Sequence, residues 1–164
     1  MTTSGTATPE TCKECAPRKE LRAYDADVVD YLNAAQSAFH CVAEVTARLT
    51  KAGFEVLDER KAWTVQPNGK YIVTRNGSSL CAFAVGGKFN NETSGTICVG
   101  AHTDSPCPKL KPVSTLEKDG HVMLGVVGYG GGIWHSWFDR DLTVVGRAVV
   151  RDPADGKVTP RLVR

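Results

Sequence analysis

Hydrophobic periodicity divides the chain into two parts of different architecture. Between residues 25 and 49 apolar side chains recur every three or four positions, which is the spacing of one face of an α-helix. From Gly120 onward no helical period occurs, and short apolar runs alternate with glycine-rich turns. The chain is therefore neither all-helical nor all-β. We predict an α/β part followed by an all-β part, with a boundary near residue 113.

The ends of the helical stretch carry recognisable signals. Asp25 or Asp27 can cap its start, and Gly53 follows its last turn as a C′ residue. Ser37 stands where the pattern could divide, and the sequence does not decide between one helix and two. Residues 1–22 are rich in Thr, Ser, Gly and Pro towards their start, which predicts a disordered leader.

The middle of the chain predicts sheet structure. Residues 71–85 indicate a hairpin, because Asn76-Gly77 suits the positive φ angles of a type I′ turn and apolar residues flank it. The apolar run 96–101 is typical of a strand that is covered on both faces. A connector stiffened by Pro106, Pro108 and Pro112 is expected next. Further strands are predicted in 121–130, 137–152 and 157–164, with a turn at 153–156.

Composition excludes several classes of protein. The 164 residues are 41% hydrophobic and 23% charged, which is ordinary for a globular protein. A net charge of +2 with scattered basic residues gives no argument for binding nucleic acid or a membrane surface. No apolar stretch of about 18 residues or more occurs, so no transmembrane helix is expected. The first residues lack the apolar core of a secretory signal, and a cytoplasmic protein is the default expectation.

Six cysteines agree with that expectation. Cys41, Cys81 and Cys98 lie in apolar stretches and are predicted to be small buried side chains. Cys12 and Cys15 form a CxxC pair, but a zinc site needs a second pair and none follows. A small metal or thiol protein built on this pair is the weakest of our hypotheses.

His102 and Asp104 end the apolar run 96–101 and are the first candidates for chemistry. Residues two apart in an extended chain point to the same side. At the carboxyl end of a sheet strand they would face the crevice where open α/β sheets bind ligands. His102 could ligate a metal through one ring nitrogen while Asp104 accepts a hydrogen bond from the other. A surface histidine capped by an aspartate explains the same spacing, and the spacing alone leaves both interpretations open.

The remaining histidines do not complete a zinc site by spacing, although such a site needs three or four protein ligands. His40 falls within the helical pattern and is predicted to be a packed or hydrogen-bonded imidazole, and His121 is predicted to be solvated. His135 and Asp139 lie in an aromatic segment and are further catalytic candidates. In the alternative interpretation, Arg140 and its acidic neighbours form an ion-pair network and the aromatics form a protein interface.

The glycine-rich segment 125–134 does not fit a nucleotide site. A GxGxxG motif that begins at Gly128 would need glycine where Ile133 stands, and no helical pattern follows to bind a pyrophosphate. We interpret the segment as a glycine turn.

Four stretches together resemble the aspartyl aminopeptidases, which are cytosolic di-zinc metallo-exopeptidases. The stretches are 37–54, 70–86, 99–112 (VGAHTDSPCPKLKP) and 129–147 (YGGGIWHSWFDRDLTVVGR). Their order and spacing are similar to the family's, and the resemblance covers about residues 23–164. Two departures occur away from the chemistry: Ala38 stands where the family tends to have proline, and Asn68-Gly69 where it often has two glycines.

The resemblance implies a fold and an activity. It implies the N-terminal part of a zinc-exopeptidase α/β/α catalytic domain over residues 23–113, followed by the start of a β-rich dimerisation domain over 114–164. His102 matches the first zinc ligand, and Asp104 matches the acidic residue that supports this ligand and the catalytic centre. The implied reaction releases N-terminal Asp or Glu from peptides with two zinc ions per site. The implied partners are peptides with an acidic N-terminus and further copies of the chain, from a dimer to a dodecamer.

The family's other ligands and its general base do not match any residue of this chain, which contains no Glu-Glu pair. We therefore expect a truncated chain that resembles the N-terminal third of the enzyme, is inactive alone and exposes apolar surface. A second hypothesis is a non-catalytic fragment that binds full-length subunits through its β-rich region. Residues that would read the substrate are not identifiable.

Overall fold

The structure is a computed structural model that describes residues 19–164, with side chains from residue 24 onward. The described residues fall into two units, 19–33 and 34–164. Helix α1, Lys19–Ala34, makes up the first unit and ends with the first residue of the second, so Asp25 and Asp27 lie inside a helix and do not cap it. Residues 19–22, predicted to belong to the leader, are helical because the sequence KELRA consists of strong helix formers. The rest of the predicted leader, with Cys12 and Cys15, lies outside the described residues.

A second helix, α2, begins directly after Ser37 and spans Ala38–Lys51. Ser37 is extended, and its hydroxyl accepts a hydrogen bond from the His40 backbone N–H, which is the usual N-cap interaction. The helix ends as predicted, because Gly53 takes a φ of 86° and the chain turns away. The structure thus decides for two helices where the sequence left one or two open.

Helix α2 packs on a three-stranded sheet, and this contact is the core of the second unit. The strands are β1 (Glu55–Leu57), β2 (Lys70–Arg75) and β3 (Ser79–Ala84). β1 pairs with β2 in parallel and β3 pairs with β2 in antiparallel orientation. The most buried apolar side chains are Cys41 and Val42 of the helix and Tyr71 and Ile72 of β2.

The predicted hairpin is confirmed. β2 and β3 pair from Lys70↔Ala84 to Arg75↔Ser79. Asn76 and Gly77 have φ angles of 53° and 64°, and the Ser78 N–H donates to the Arg75 carbonyl at 3.1 Å. These are the left-handed conformations that the Asn-Gly pair adopts with little strain.

The predicted strand 96–101 is wrong. Ile97 and Val99 are 96% and 89% exposed, and none of the described strands pairs with this segment. A strand forms only where its backbone N–H and C=O groups find partners in a neighbouring strand. Apolar composition alone cannot supply those partners.

The β-rich part consists of two antiparallel ribbons. β4 (Cys107–Lys118) pairs with β5 (His121–Tyr129), and β6 (Gly146–Arg151) pairs with β7 (Val158–Val163). Strands β5 and β7 and the turn before β7, where Gly156 has a φ of 70°, agree with the prediction.

The predicted proline connector is wrong, because β4 runs through it and through residue 113. A two-stranded ribbon tolerates proline, since each strand has a free edge that needs no N–H donor. Pro108 pairs with Gly128, and the register shifts between Leu110 and Thr115, around Pro112. The domain boundary near residue 113 therefore falls inside a strand, and the division into two domains stays a prediction.

Two smaller expectations also fail. The strand predicted from residue 137 begins only at Gly146, and Trp134–Trp137 forms a 3₁₀ turn, which is too short to leave a periodic signal. Cys41 is buried as predicted, but Cys81 and Cys98 are exposed. Cys98 lies in the unpaired segment, and Cys81 lies on an edge strand of a sheet that α2 covers incompletely. Among residues 19–164, no helix is long and apolar enough to cross a membrane.

Candidate functional site

A cleft of about 480 Å³ lies where the loop 101–104 meets helix α2, the hairpin and the first ribbon. The start of α2 and the hairpin turn supply Ala38, Phe39 and Ser78 to its walls. The opposite wall comes from β4 and the end of β5, with Lys109 and Tyr129. The cleft therefore joins the α/β part to the β-rich part within the second unit.

His102 and Asp104 both line this cleft and contact each other. His102 Nδ1 lies 3.0 Å from Asp104 Oδ1. The backbone bends at Thr103 and Asp104, so this pairing does not arise from the extended strand that we predicted. In a neutral imidazole, an acceptor at Nδ1 favours the tautomer with its proton on that nitrogen, which leaves the Nε2 lone pair for a metal ion.

Burial distinguishes the two side chains. Asp104 is only 13% exposed, whereas the His102 ring is 71% exposed and open to the cleft. A fixed carboxylate behind an accessible imidazole is the arrangement expected of a metal ligand and its supporting acid. The described geometry is thus compatible with both roles that the resemblance implies.

Lys109 is a third titratable group of the cleft, and the sequence alone did not single it out. Its Nζ lies 3.7 Å from Asp104 Oδ2 and 3.4 Å from the centroid of the Tyr129 ring. Lys109 stands in the motif that suggested the site, but a proline on either side made that stretch look like a connector. Only the pairing of β4 with β5 brings Tyr129 beside it.

His40 lies apart from these groups, in the core. It is 3% exposed, its Nδ1 lies 2.8 Å from Ser37 Oγ, and its Nε2 has no hydrogen-bond partner among the described residues. Burial lowers the pKa of His40, and the positive charge of Arg164 lowers it further. The prediction of a packed imidazole is confirmed.

The structure does not place the remaining candidate residues in the cleft. His121, the first residue of strand β5, is exposed, as predicted. His135 and Asp139 are exposed and do not line the cleft. Among the described residues, no ion pair joins Arg140 to Asp139 or to Asp141, so that predicted network is wrong; fully solvated charges gain little from pairing.

The described residues do not by themselves assemble a metal site. Over residues 19–164 no group of three or more His, Cys, Asp or Glu side chains is placed to hold a metal ion. A zinc ion in a protein has three or four protein ligands. His102, oriented by Asp104, fits the role of one such ligand, and the others would have to come from outside the described residues.

Comparison with known proteins gives consistent matches. A family model described as "Aminopeptidase I zinc metalloprotease (M18)" matches residues 31–164. A "Probable aspartyl aminopeptidase" of Ricinus communis is 48% identical over 142 residues, which cover 85% of this chain and 29% of that protein. The chain spans 28% to 32% of the length of this and other curated relatives that it matches.

Solved structures match the fold. A chain in the cryo-EM structure of the Ape4 and Nbr1 complex has a TM-score of 0.78 at 37% identity, over 88% of this chain and 27% of that one. A chain of the S. cerevisiae mApe1 dodecamer has a TM-score of 0.77 at 29% identity, over 88% and 34%. The predicted α/β class and the family resemblance are thereby confirmed.

Proposed function

Because the chain belongs to the aminopeptidase I zinc metalloprotease (M18) family, we propose that it is part of a zinc-dependent aminopeptidase that releases N-terminal Asp or Glu from peptides. The contact between His102 and Asp104, in a cleft that also reaches helix α2 and the first ribbon, carries this proposal. The acidic substrate class follows the name of the relative that is 48% identical, a probable aspartyl aminopeptidase.

In this proposal His102 binds zinc through Nε2. Asp104 holds the ring through Nδ1, keeps the proton on that nitrogen and raises the basicity of the ligating one. When bound, zinc supplies a Lewis acid that polarises the scissile carbonyl. Two zinc ions per site would need further ligands, and none is assembled among residues 19–164.

We propose that the 164-residue chain is inactive alone, because its described residues supply one candidate zinc ligand and one ligand does not hold two zinc ions. The purified chain should therefore not hydrolyse an aspartyl anilide, even with zinc added. Hydrolysis that a chelator abolishes would contradict this part of the proposal.

A fusion tests the activity directly. The chain is joined to the part of the Ricinus communis relative that follows the matched region, and the product is assayed with aspartyl and leucyl anilides. We expect hydrolysis of the aspartyl substrate, and loss of both activity and bound zinc in His102→Ala. His121→Ala removes an exposed imidazole outside the cleft and is the matched control. Equal activity in the two variants would refute the assignment of His102.

We also propose that the chain forms homo-oligomers in the cytoplasm through its β-rich part. Exposed apolar side chains along both ribbons support this proposal. The S. cerevisiae mApe1 structure that matches at a TM-score of 0.77 is a dodecamer, which supports it as well. The same surface favours the alternative function, a non-catalytic fragment that binds full-length subunits. Sedimentation of the chain alone tests for homo-oligomers, and sedimentation of the chain mixed with the fusion protein tests for binding to full-length subunits. A monomeric chain in both samples would contradict both hypotheses.

A further inference from the structure

We propose that Lys109 is a positioning residue of the cleft: it fixes the Asp104 carboxylate and, through it, the ring of His102. Tyr129 in turn holds Lys109. The inference rests on the proposed function, in which His102 ligates zinc, and it extends the site from the loop 101–104 to the first ribbon.

The two oxygens of Asp104 have separate partners. Oδ1 lies 3.0 Å from His102 Nδ1, and Oδ2 lies 3.7 Å from Lys109 Nζ. A contact at one oxygen restrains rotation of the carboxylate about its Cβ–Cγ bond, and a second contact at the other oxygen restrains its plane further. Because Asp104 is 87% covered, solvent offers few replacements for a lost partner. The orientation of the imidazole therefore depends on Lys109 as well as on Asp104.

Tyr129 supplies the restraint that a lysine side chain lacks by itself. Its four-carbon stem has many rotamers, and an unrestrained ammonium would spend most of its time in water. The ring of Tyr129 lies 3.4 Å below Nζ, which is a close cation–π contact. The ladder sets this position, since Cys107 pairs with Tyr129 and Lys109 pairs with Val127.

A surface ion pair without function is the competing explanation. The Lys109 side chain is 47% exposed, and ion pairs with that exposure contribute little to stability. That explanation predicts no change at His102 when Lys109 is replaced. A positioning role predicts a change in the tautomer of His102 with little change in global stability, so the two explanations differ in a measurable quantity.

The experiment follows the His102 ring by NMR in the 164-residue chain with ¹⁵N-labelled histidine, without metal and at a pH where the ring is neutral. His102→Gln assigns its signals among the four histidines. We expect the proton on Nδ1 in the unmodified chain, and a shift towards the Nε2–H tautomer in Lys109→Met. Lys109→Arg should retain the Nδ1–H form, and Tyr129→Leu should give an intermediate mixture.

Lys111→Met is the matched control, because it removes the same charge two positions along β4, outside the cleft. It should leave the His102 tautomer unchanged. In the fusion protein, Lys109→Met should weaken zinc binding about 3- to 10-fold. Replacing a residue that hydrogen-bonds directly to a metal ligand typically weakens metal binding about 10- to 100-fold, and Lys109 acts one residue further away.

An unchanged His102 tautomer in folded Lys109→Met overturns the inference, and so does an equal shift in Lys111→Met. If thermal melting shows that Lys109→Met does not fold, Lys109→Gln is measured with the same two outcomes. The tautomer is read without metal, so a fusion protein that fails to bind zinc through His102 refutes the proposed function and not the hold of Lys109 on Asp104.

Discussion

The sheet under helix α2 and the ribbon β4–β5 both contain apolar strands but differ in burial. The apolar runs are YIV in β2 and VMLGVV in β5. Ile72 of β2 is completely buried, whereas Val122 of β5 is 76% exposed and its apolar neighbours are about half exposed. The difference is the covering layer, since α2 packs on β1–β3 and no described helix contacts β4 or β5 to a comparable extent. Apolar content therefore identifies a strand, and the burial of that strand depends on what packs against it.

The largest effect is expected when one apolar side chain in each of the two regions is shortened to alanine. Ile72→Ala removes a fully buried side chain and should lower the free energy of unfolding by about 2–5 kcal/mol. Val127→Ala lies on the half-exposed β5 and should change it by no more than about 0.5 kcal/mol. Urea unfolding followed by circular dichroism measures both, and similar losses would show that the ribbon is covered in solution.

A smaller effect is expected at the start of α2, the helix that covers strands β1–β3. Ser37→Ala removes the hydroxyl that accepts the His40 N–H and should cost about 1 kcal/mol. Ser79→Ala, at the exposed first position of β3, is the control. A loss in the control as large as in Ser37→Ala would argue against a specific capping contribution.

The link between the core and the second ribbon gives a third, weaker test. Arg147 of β6 donates from Nη1 to the Asn76 carbonyl at 2.8 Å, and its guanidinium lies 4.1 Å from the centroid of the Phe39 ring. Arg147→Met should reduce stability by less than about 1 kcal/mol, because the side chain is exposed. Hydrogen exchange should accelerate in β6 and β7 but not in β2.

Arg151→Met is the control for this test. Its Nη1 bonds to the Gly156 carbonyl within the same ribbon and does not reach the core. If both variants accelerate exchange equally, Arg147 does not fasten the ribbon to the hairpin.

The last prediction concerns the pH dependence of stability, and the expected effect is negligible above neutral pH. The pKa of His40 is lowered in the folded chain, first by burial and then by Arg164. The folded state thus binds the proton less well than the unfolded state, and protonation favours unfolding. Stability should be fully present above the unfolded pKa of about 6.5 and should decline as the pH falls below it towards the folded value. His40→Gln should flatten this decline relative to His121→Gln; parallel curves in urea titrations at several pH values would contradict it.

Local signals in the sequence account for most of the correctly predicted elements. The Ala38–Lys51 helix follows from one apolar face and from Gly53 after its end, and the hairpin follows from Asn76-Gly77. Such features act between residues close along the chain, so they keep the same meaning in any fold. The failures concern residues that need a distant partner. Ile97 and Val99 have strand propensity but pair with none of the described strands. Pro112 lies in a strand because a ribbon edge tolerates it.

The candidate site divides in the same way. The sequence by itself determined that His102 and Asp104 lie near each other, because they are only two residues apart at the end of an apolar run. It also determined the family, through motifs that lie within residues 37–147, and a family model matches residues 31–164. Only the tertiary structure decided that Asp104 is covered, that Lys109 contacts its second oxygen and that Tyr129 lies beneath that lysine. The reason is that these contacts cross between β4, β5 and the loop 101–104, and strand pairing sets their distances, which no spacing along the chain encodes.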